Sequence, residues 1–376
     1  MDKIYHFSAP GRTELGGNHT DHQHGCVLAA AIDLEMTAKV SLNGTGTIRV
    51  CSQGYTPFEI QLSQLTCRED EKGTTAALVR GVAAEFQAMG AILNGFDMEI
   101  SSQVLPGSGL SSSAAFEVLV ATIFNRLFFG SRLTPEEIAK LGQRVENTYF
   151  GKPCGLMDQM ACSVGGLVFI DFGGDVPQVE RLDFDFRKAG YALCIIDTGA
   201  DHADLTDEYA AITRELAQLC RLFDKDYLRQ IPEEDFMDKL PQLRGQVSDR
   251  ALLRAIHVYR ENRRVVAQKE AIKAGKMAEF WALVKASGQS SWMYLQNICP
   301  AGAIDHQPVA LALAMCDSLL NGKGAFRVHG GGFAGTVQAF VPFEILDSFK
   351  AGIDAALGEG ACHILSIRPE GGVEAV

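Results

Sequence analysis

The chain is 376 residues long, enough for two lobes around a sizeable core. Hydrophobic residues make up 47% and charged residues 21%, ordinary globular usage, and the formal net charge is −12. An acidic, aromatic-poor surface argues against nucleic acid and anionic membranes as partners, while a local positive pocket could still take an anionic small molecule. Ten cysteines are scattered without a C-x-x-C pair, so there is no zinc-ribbon or thioredoxin-type spacing. The N-terminal MDKIYHFSAPGR lacks an apolar signal-like run and no later segment is an uncharged span, so no membrane partner and a reducing cytoplasm are expected.

In chain order, residues 27–32 form an apolar run, 35–42 alternate, and 47–51 and 58–62 are short β-like runs broken by Gly and Asn. Residues 76–89 predict a helix and 96–101 a strand that leads into a glycine loop; a long apolar helix follows over 114–129. Thr134, Pro135 and Glu137 stand in the order of a helix cap, first turn and capping-box acid, so a helix is expected from there to about residue 148. Buried strands are expected over 165–172 and 191–197. Helical periodicity returns over 207–223, 249–274, 277–286 and 308–319, with Ser248 or Asp249 capping the longest. Residues 327–329 and 336–341 read as strands joined by a glycine-rich turn; a helix over 343–357 and a strand over 362–367 complete the chain. Strands and helices in both halves predict an α/β or α+β protein of two lobes, with a boundary in the charged stretch 183–188. That gives domains 1–185 and 186–376.

Four segments carry candidate chemistry. In 105–115, LPGSGLSSSAA, Gly107 and Gly109 permit positive φ and close approach of backbone to a ligand. The serines can cap the following helix, whose start attracts phosphate through free N–H groups and partial positive charge. A glycine turn with a Ser-capped helix would suffice structurally, but three successive serines exceed what a cap needs. The spacing is neither a Walker A loop, since no Lys follows Gly109, nor G-x-G-x-x-G, since Ser112 takes the third Gly position. The second segment, GRTELGGNHTD over 11–21, continues to His24. His19, Asp21, His22 and His24 have metal-ligand chemistry but no common zinc spacing, and a polar glycine-punctuated loop is the plain alternative. Arg12, His19 and Asp21 also suit a polyhydroxyl ligand, whose hydroxyls donate to a carboxylate and accept from His or Arg. The third, GKPCGLMDQ, sets Asp158 among Leu156, Met157 and Met160; a carboxylate there caps a helix, or orients or deprotonates a substrate hydroxyl. The fourth is the turn 330–335, with more successive glycines than a hairpin requires, as where backbone approaches a ligand.

Together and in this order the four segments resemble the GHMP small-molecule kinases, and within them the galactokinase family. LPGSGLSSSAA is similar to the family's phosphate loop, APGRTELGGNHTDH to the galactokinase signature, GKPCGLMDQ to the segment with the catalytic Asp, and VHGGGFAGT to the third glycine-rich motif. Weaker similarity over 197–209 and 257–264 extends it to almost the whole chain. The resemblance implies an α+β, two-lobed GHMP fold, with an N-terminal mixed sheet and helices (ribosomal protein S5 domain 2-like) and a C-terminal helical lobe with an antiparallel sheet. It implies transfer of the ATP γ-phosphoryl group to the anomeric hydroxyl of a sugar, galactose or a related hexose. Gly107, Ser108, Gly109, Leu110, Ser111, Ser112 and Ser113 would wrap the ATP phosphates, and Ser113 with Glu146 would hold Mg²⁺. Asp158 and Arg12 would be catalytic, and Asn18, His19, Asp21, Gly155 and Tyr209 would contact the sugar.

The chain departs from the family at four positions. Asn18 replaces the Glu that contacts the sugar's C6 hydroxyl, and an amide tolerates a C6 carboxylate that a Glu would repel. Glu14 stands where the family has Asn, His329 where it has Thr, and Ala334 where it has Gly. These changes bear on the substrate, so a kinase for galacturonate or an N-acetylated hexosamine is an alternative. A non-catalytic sugar- and ATP-binding sensor is another, and a metal hydrolase built on His19, Asp21, His22 and His24 the last.

Overall fold

The computed structural model describes residues 3–104, 109–200 and 205–375. Two sheets organise them. The larger contains β1 (Ile4–Gly16), β2 (Cys26–Leu42), β3 (Thr47–Ser52), β4 (Phe58–Gln61), β5 (Phe96–Ser102), β6 (Leu167–Asp171) and β7 (Gln178–Leu182). The smaller contains β8 (Tyr191–Asp197), β9 (Ala325–Val328), β10 (Thr336–Pro342) and β11 (Cys362–Leu365), all antiparallel in the order β11-β8-β10-β9. A last strand, β12 (Val373–Ala375), returns to the larger sheet and pairs with β1, giving the order β12-β1-β2-β5-β3-β4, with β6 and β7 branching from β2. The pair β3–β5 runs parallel, so the larger sheet is mixed. The boundary expected at 185/186 falls in the stretch between β7 and β8.

Four helices cover the larger sheet: α1 (Thr75–Ala88), α2 (Ser112–Phe128), α3 (Pro135–Val145) and α4 (Met157–Val164). α2 is buried without a break from Ala114 to Asn125, which explains why its sequence is apolar all round rather than on one stripe. Its Phe124 and Phe128 pack ring to ring with Phe96 of β5, and Phe124 also stacks on Phe86 of α1. α3 begins with the expected capping box, Thr134 and Glu137 each accepting from the other's backbone N–H. It gives way to one π-helical turn, Glu146–Phe150, which Gly151 ends at φ 82°.

The second half supplies α5 (Thr206–Arg221), α6 (Glu233–Leu243), α7 (Asp249–Lys273), α8 (Met277–Ser290), α9 (Pro308–Leu320) and α10 (Leu346–Leu357). Ser248 caps α7 by accepting from Ala251 N–H. α9 and α10 pack on the smaller sheet around Cys194, Leu313, Val337 and Phe349.

β1 has no counterpart among the sequence expectations. It carries Pro10, Gly11 and Gly16 and is buried on both faces from Phe7 onward, so no two-residue alternation shows. Its pairing with β2 slips between Pro10 and Arg12 and again between Glu14 and Gly16. Such bulges turn side chains out of the regular pleat. Arg12 and Glu14 lie at these two breaks.

Candidate active site

The centre of the site is the carboxylate of Asp158, in the first turn of α4, where the helix start favours negative charge. Arg12 reaches it from β1 in a fork, Nε donating to Oδ1 at 2.8 Å and Nη2 to Oδ2 at 2.7 Å. Ser111 Oγ donates to the same Oδ2. Burial pushes the Asp158 carboxyl up, but the Arg12 charge and fork, with Ser111, outweigh it and hold the group below its usual range. Burial weakens the Arg12 cation, and Asp158 more than restores it.

The phosphate-loop segment is fastened to this pair. Arg12 N–H donates to Leu110 O at 3.1 Å, and Arg12 Nη1 donates to Gly109 O. A Cβ at Gly11 would lie 2.9 Å from Leu110 O, so only glycine lets the loop press onto β1. Gly109 takes φ 71° and Ser111, at the cap position of α2, takes φ 62°. Ser111 makes no side-chain cap bond, in contrast to the capping role expected of the serines, because its hydroxyl is spent on Asp158. Gly107 and Ser108 lie outside the described residues.

A second acidic group sits one helix turn along. Ser113 Oγ and Glu146 Oε1 are 3.4 Å apart. Gln159 Nε2 donates both to Glu146 Oε2, at 2.7 Å, and to Glu117 Oε2, at 3.0 Å. Glu117 is fully enclosed, and burial, then the Glu146 charge, push its carboxyl well above the usual range. Sequence alone does not single out Glu117; its signal is an acid inside the apolar run of α2, four residues after Ser113 and so on the same face.

On the other side of Asp158 the segment after β1 curls into a 3₁₀ turn, Asp21–Gln23. Asp21 Oδ1 accepts from His22 N–H at 2.8 Å, and burial, then the charge of Asp158, push its carboxyl up. Gly155 lies against it, and a Cβ there would overlap Asp21 Oδ2. His19, at φ 58°, shares a hydrogen bond with Gly331 O at 3.0 Å and another with His22 at 3.3 Å. Burial pulls His19 down to about 3 and His22 to about 4, so both rings are neutral at pH 7. Tyr209 donates to Gly332 O at 2.8 Å, and its ring occupies the space that a Cβ at Gly331 would need. Gly331 is thus required by Tyr209, and Gly332 by Asn297, which a Cβ at Gly332 would overlap.

Asn18, expected to contact the sugar, is enclosed by protein. It is completely buried; Nδ2 donates to Gly330 O at 2.6 Å and to Glu14 Oε1 at 3.3 Å, while Oδ1 accepts from Asn297 at 2.8 Å and Ser291 at 3.3 Å. Its amide thus ties the end of β1 to the glycine turn at Gly330, next to the Gly331 carbonyl that His19 meets. Glu14 beside it is raised by burial and pulled back by Arg327, whose Nη2 donates to Oε1 at 2.5 Å. His257 holds Asn18 O at 2.9 Å, and Glu261 accepts from Gly17 N–H at 3.0 Å and Ser287 at 2.6 Å. His329 is held between Thr13 and Thr336, and burial, then the Arg12 and Arg327 charges, keep it neutral, so it packs rather than supplies charge. No group of three or more His, Cys, Asp or Glu is arranged for a metal ion among the described residues. His24, one of the four hydrolase candidates, stacks on Tyr227 at 3.8 Å instead.

The GHMP kinases N terminal domain matches residues 77–166, which take in the serine loop, Glu146 and Asp158. Fold and matched domain together define a GHMP kinase. Mevalonate kinase shares the architecture, with a TM-score of 0.69 at 15% identity over 97% of this chain and 99% of that one. The galactokinase galactose-binding signature matches residues 2–42. A galactokinase of Streptomyces coelicolor is 30% identical over 374 residues, 97% of this chain and 92% of that protein. One from Actinobacillus pleuropneumoniae is 30% identical over 349 residues, 91% of this chain and 86% of that protein. The solved Lactococcus lactis galactokinase complexed with galactose superimposes with a TM-score of 0.83 at 24% identity, over 99% of this chain and 95% of that one. The chain belongs to the galactokinase family of sugar phosphotransferases.

Proposed function

We propose that the chain transfers the γ-phosphoryl group of ATP to the anomeric hydroxyl of galactose, giving galactose 1-phosphate and ADP. The observation that carries this reading is the convergence of Arg12, Ser111 and the start of α4 on one ionised carboxylate, Asp158, beside the phosphate-loop segment.

In this reaction the sugar oxygen forms a bond to phosphorus, the bond to the bridging oxygen of ADP breaks, and the hydroxyl proton leaves. A carboxylate held below its usual range is a weak base for a sugar hydroxyl. Asp158 therefore accepts a hydrogen bond from that hydroxyl and aims its lone pair, and it takes the proton late, as a loose phosphoryl transition state allows. Arg12 keeps the carboxylate ionised and places positive charge where phosphoryl oxygens would lie. Asp21 suits a remaining sugar hydroxyl as acceptor, while His19, whose two ring nitrogens are held by Gly331 O and His22, shapes the sugar's walls with Gly155 and Tyr209. The 107–113 segment and the start of α2 would bind the ATP phosphates.

Ser113 and Glu146 supply a hydroxyl and a carboxylate oxygen facing each other, a donor pair that fits Mg²⁺ shared with phosphates and waters. When bound, the ion would neutralise charge on the phosphates. The unpaired state of all ten cysteines suits a reducing cytoplasm.

A second reading, a sugar bearing a C6 carboxylate, rests on the neutral amide at position 18 in place of the family's Glu; enclosed by Glu14, Gly330, Ser291 and Asn297, it would act through the 330–331 backbone and not by touching the sugar. Both readings are tested by a panel of free sugars with Mg²⁺-ATP, scored by ADP release and by the position phosphorylated. Galactose-dependent turnover supports the first, galacturonate-dependent turnover the second, and turnover with no sugar overturns both. Comparing kcat/KM for the two sugars in the parent and Asn18→Glu then asks whether position 18 sets the choice.

A further inference from the structure

The loop between α3 and α4 returns a lysine to the acidic side of the site. The π-helical turn closes with Gly151 N–H donating to Glu146 O at 2.9 Å, and Lys152 N–H donates to the same oxygen at 3.2 Å. Gly151, in the left-handed region at φ 82°, reverses the chain so that Lys152 folds back over the residue it has just left. Its Nζ comes to 3.8 Å from Glu146 Oε1, the oxygen that faces Ser113. The loop is tied down beyond it: Asn147 Oδ1 accepts from Cys154 N–H at 2.9 Å, and Gln143 Nε2 donates to Cys154 O at 3.1 Å.

The charges around this point are unbalanced. Glu146 and Asp158 lie within reach of the Lys152 charge, and Arg12 is already committed to Asp158 in a fork. The Lys152 side chain is 65% exposed, while its partner Glu146 is 3% exposed, so the lysine stands at the mouth and the carboxylate at the floor. At 3.8 Å and this exposure the pair is loose, and a lysine ammonium on a four-carbon stem can leave it at little cost.

We propose that Lys152 contacts the γ-phosphate of bound ATP: it leaves Glu146 for the terminal phosphate when Mg²⁺-ATP brings its own cation to that carboxylate. The inference rests on the kinase reading above. It makes the Lys152–Glu146 pair a placeholder and Lys152 the residue that tells triphosphate from diphosphate.

The test is calorimetric titration of the parent, Lys152→Met and Lys152→Arg with Mg²⁺-AMPPNP and with Mg²⁺-ADP, beside sugar-dependent ADP release. Losing one charge-assisted contact is expected to weaken Mg²⁺-AMPPNP about tenfold in Lys152→Met. Mg²⁺-ADP affinity should stay within about twofold, and Lys152→Arg should keep most of the triphosphate preference. Unchanged Mg²⁺-AMPPNP binding in Lys152→Met overturns the proposal, as does equal weakening of both nucleotides. A parent that binds both nucleotides but releases no ADP with any sugar overturns the kinase reading instead, and the calorimetric comparison still decides the role of Lys152.

Discussion

Replacing Asp158 by Asn keeps the shape of the site and removes its charge. Oδ2 accepts two hydrogen bonds, from Arg12 Nη2 and Ser111 Oγ, and Oδ1 accepts one, from Arg12 Nε. The asparagine oxygen will take the doubly bonded position, which leaves its amide facing Arg12 Nε, donor against donor. The fork becomes a single bond and the sugar hydroxyl loses an anionic acceptor. Loss of a positioned acid–base group lowers rate by about 100- to 10,000-fold, roughly 3 to 5.5 kcal/mol of barrier. Stability should fall less. Breaking a fully buried pair costs about 3–5 kcal/mol, but Asp158 is 32% exposed, and screening brings the expected loss to about 1–2 kcal/mol. Steady-state kcat with galactose, nucleotide calorimetry and urea unfolding separate these effects. A variant that folds, binds nucleotide and keeps kcat within tenfold of the parent would refute the role given to Asp158.

Glu14→Gln should destabilise the chain by about 3–5 kcal/mol, since it leaves the Arg327 charge buried, with Nε and Nη1 lacking other partners among the described residues; an unchanged urea midpoint would show that Arg327 needs no counter-charge. Gly155→Ala should raise the KM for sugar with nucleotide affinity unaltered, because the new methyl displaces Asp21; equal sugar kinetics would remove Asp21 from the sugar site. Stability should fall steadily on acidification. His19 and His22 have folded values depressed to about 3 and about 4, against about 6.5 unfolded, so the stability they lend is full above about 6.5 and drains away as pH falls toward those folded values. His257 and His329 are depressed in the same direction. Burial pushes the Glu261 carboxyl up, but Arg264, Arg327 and the Ser287 hydrogen bond outweigh it and hold it at about 2, which adds a further loss as pH falls from about 4.3 toward 2. The Tm measured from pH 7 to pH 5 should drop, and His22→Asn should flatten the slope; a constant Tm contradicts the neutral buried rings.

What the sequence makes legible follows from range. The capping box at Thr134, the Ser248 cap and the helices α2 and α7 rest on contacts within four residues or on runs of burial, and such patterns stand in the letters themselves. The four glycine-, serine- and acid-bearing segments are legible as resemblance. β1 is not legible, because burial on both faces and two bulges erase its alternation, and α6 is hidden by Pro241 within it. Arg327 with Glu14, His257 with Asn18 and Gly17 with Glu261 are separated by more than 200 positions, so no local spacing announces them. Asn18 shows the consequence: its place in the sugar signature suggests a substrate contact, while its four partners, three of them from beyond residue 290, enclose it.

Phosphoryl transfer to a free sugar's anomeric oxygen, oriented by Asp158, can be followed by phosphorus-31 NMR of the parent chain with Mg²⁺-ATP and galactose. A new sugar phosphate resonance split by the anomeric proton should grow with ADP, and should grow at least about 100-fold more slowly with Asp158→Asn. A spectrum in which ATP persists, or decays to inorganic phosphate alone, would contradict it.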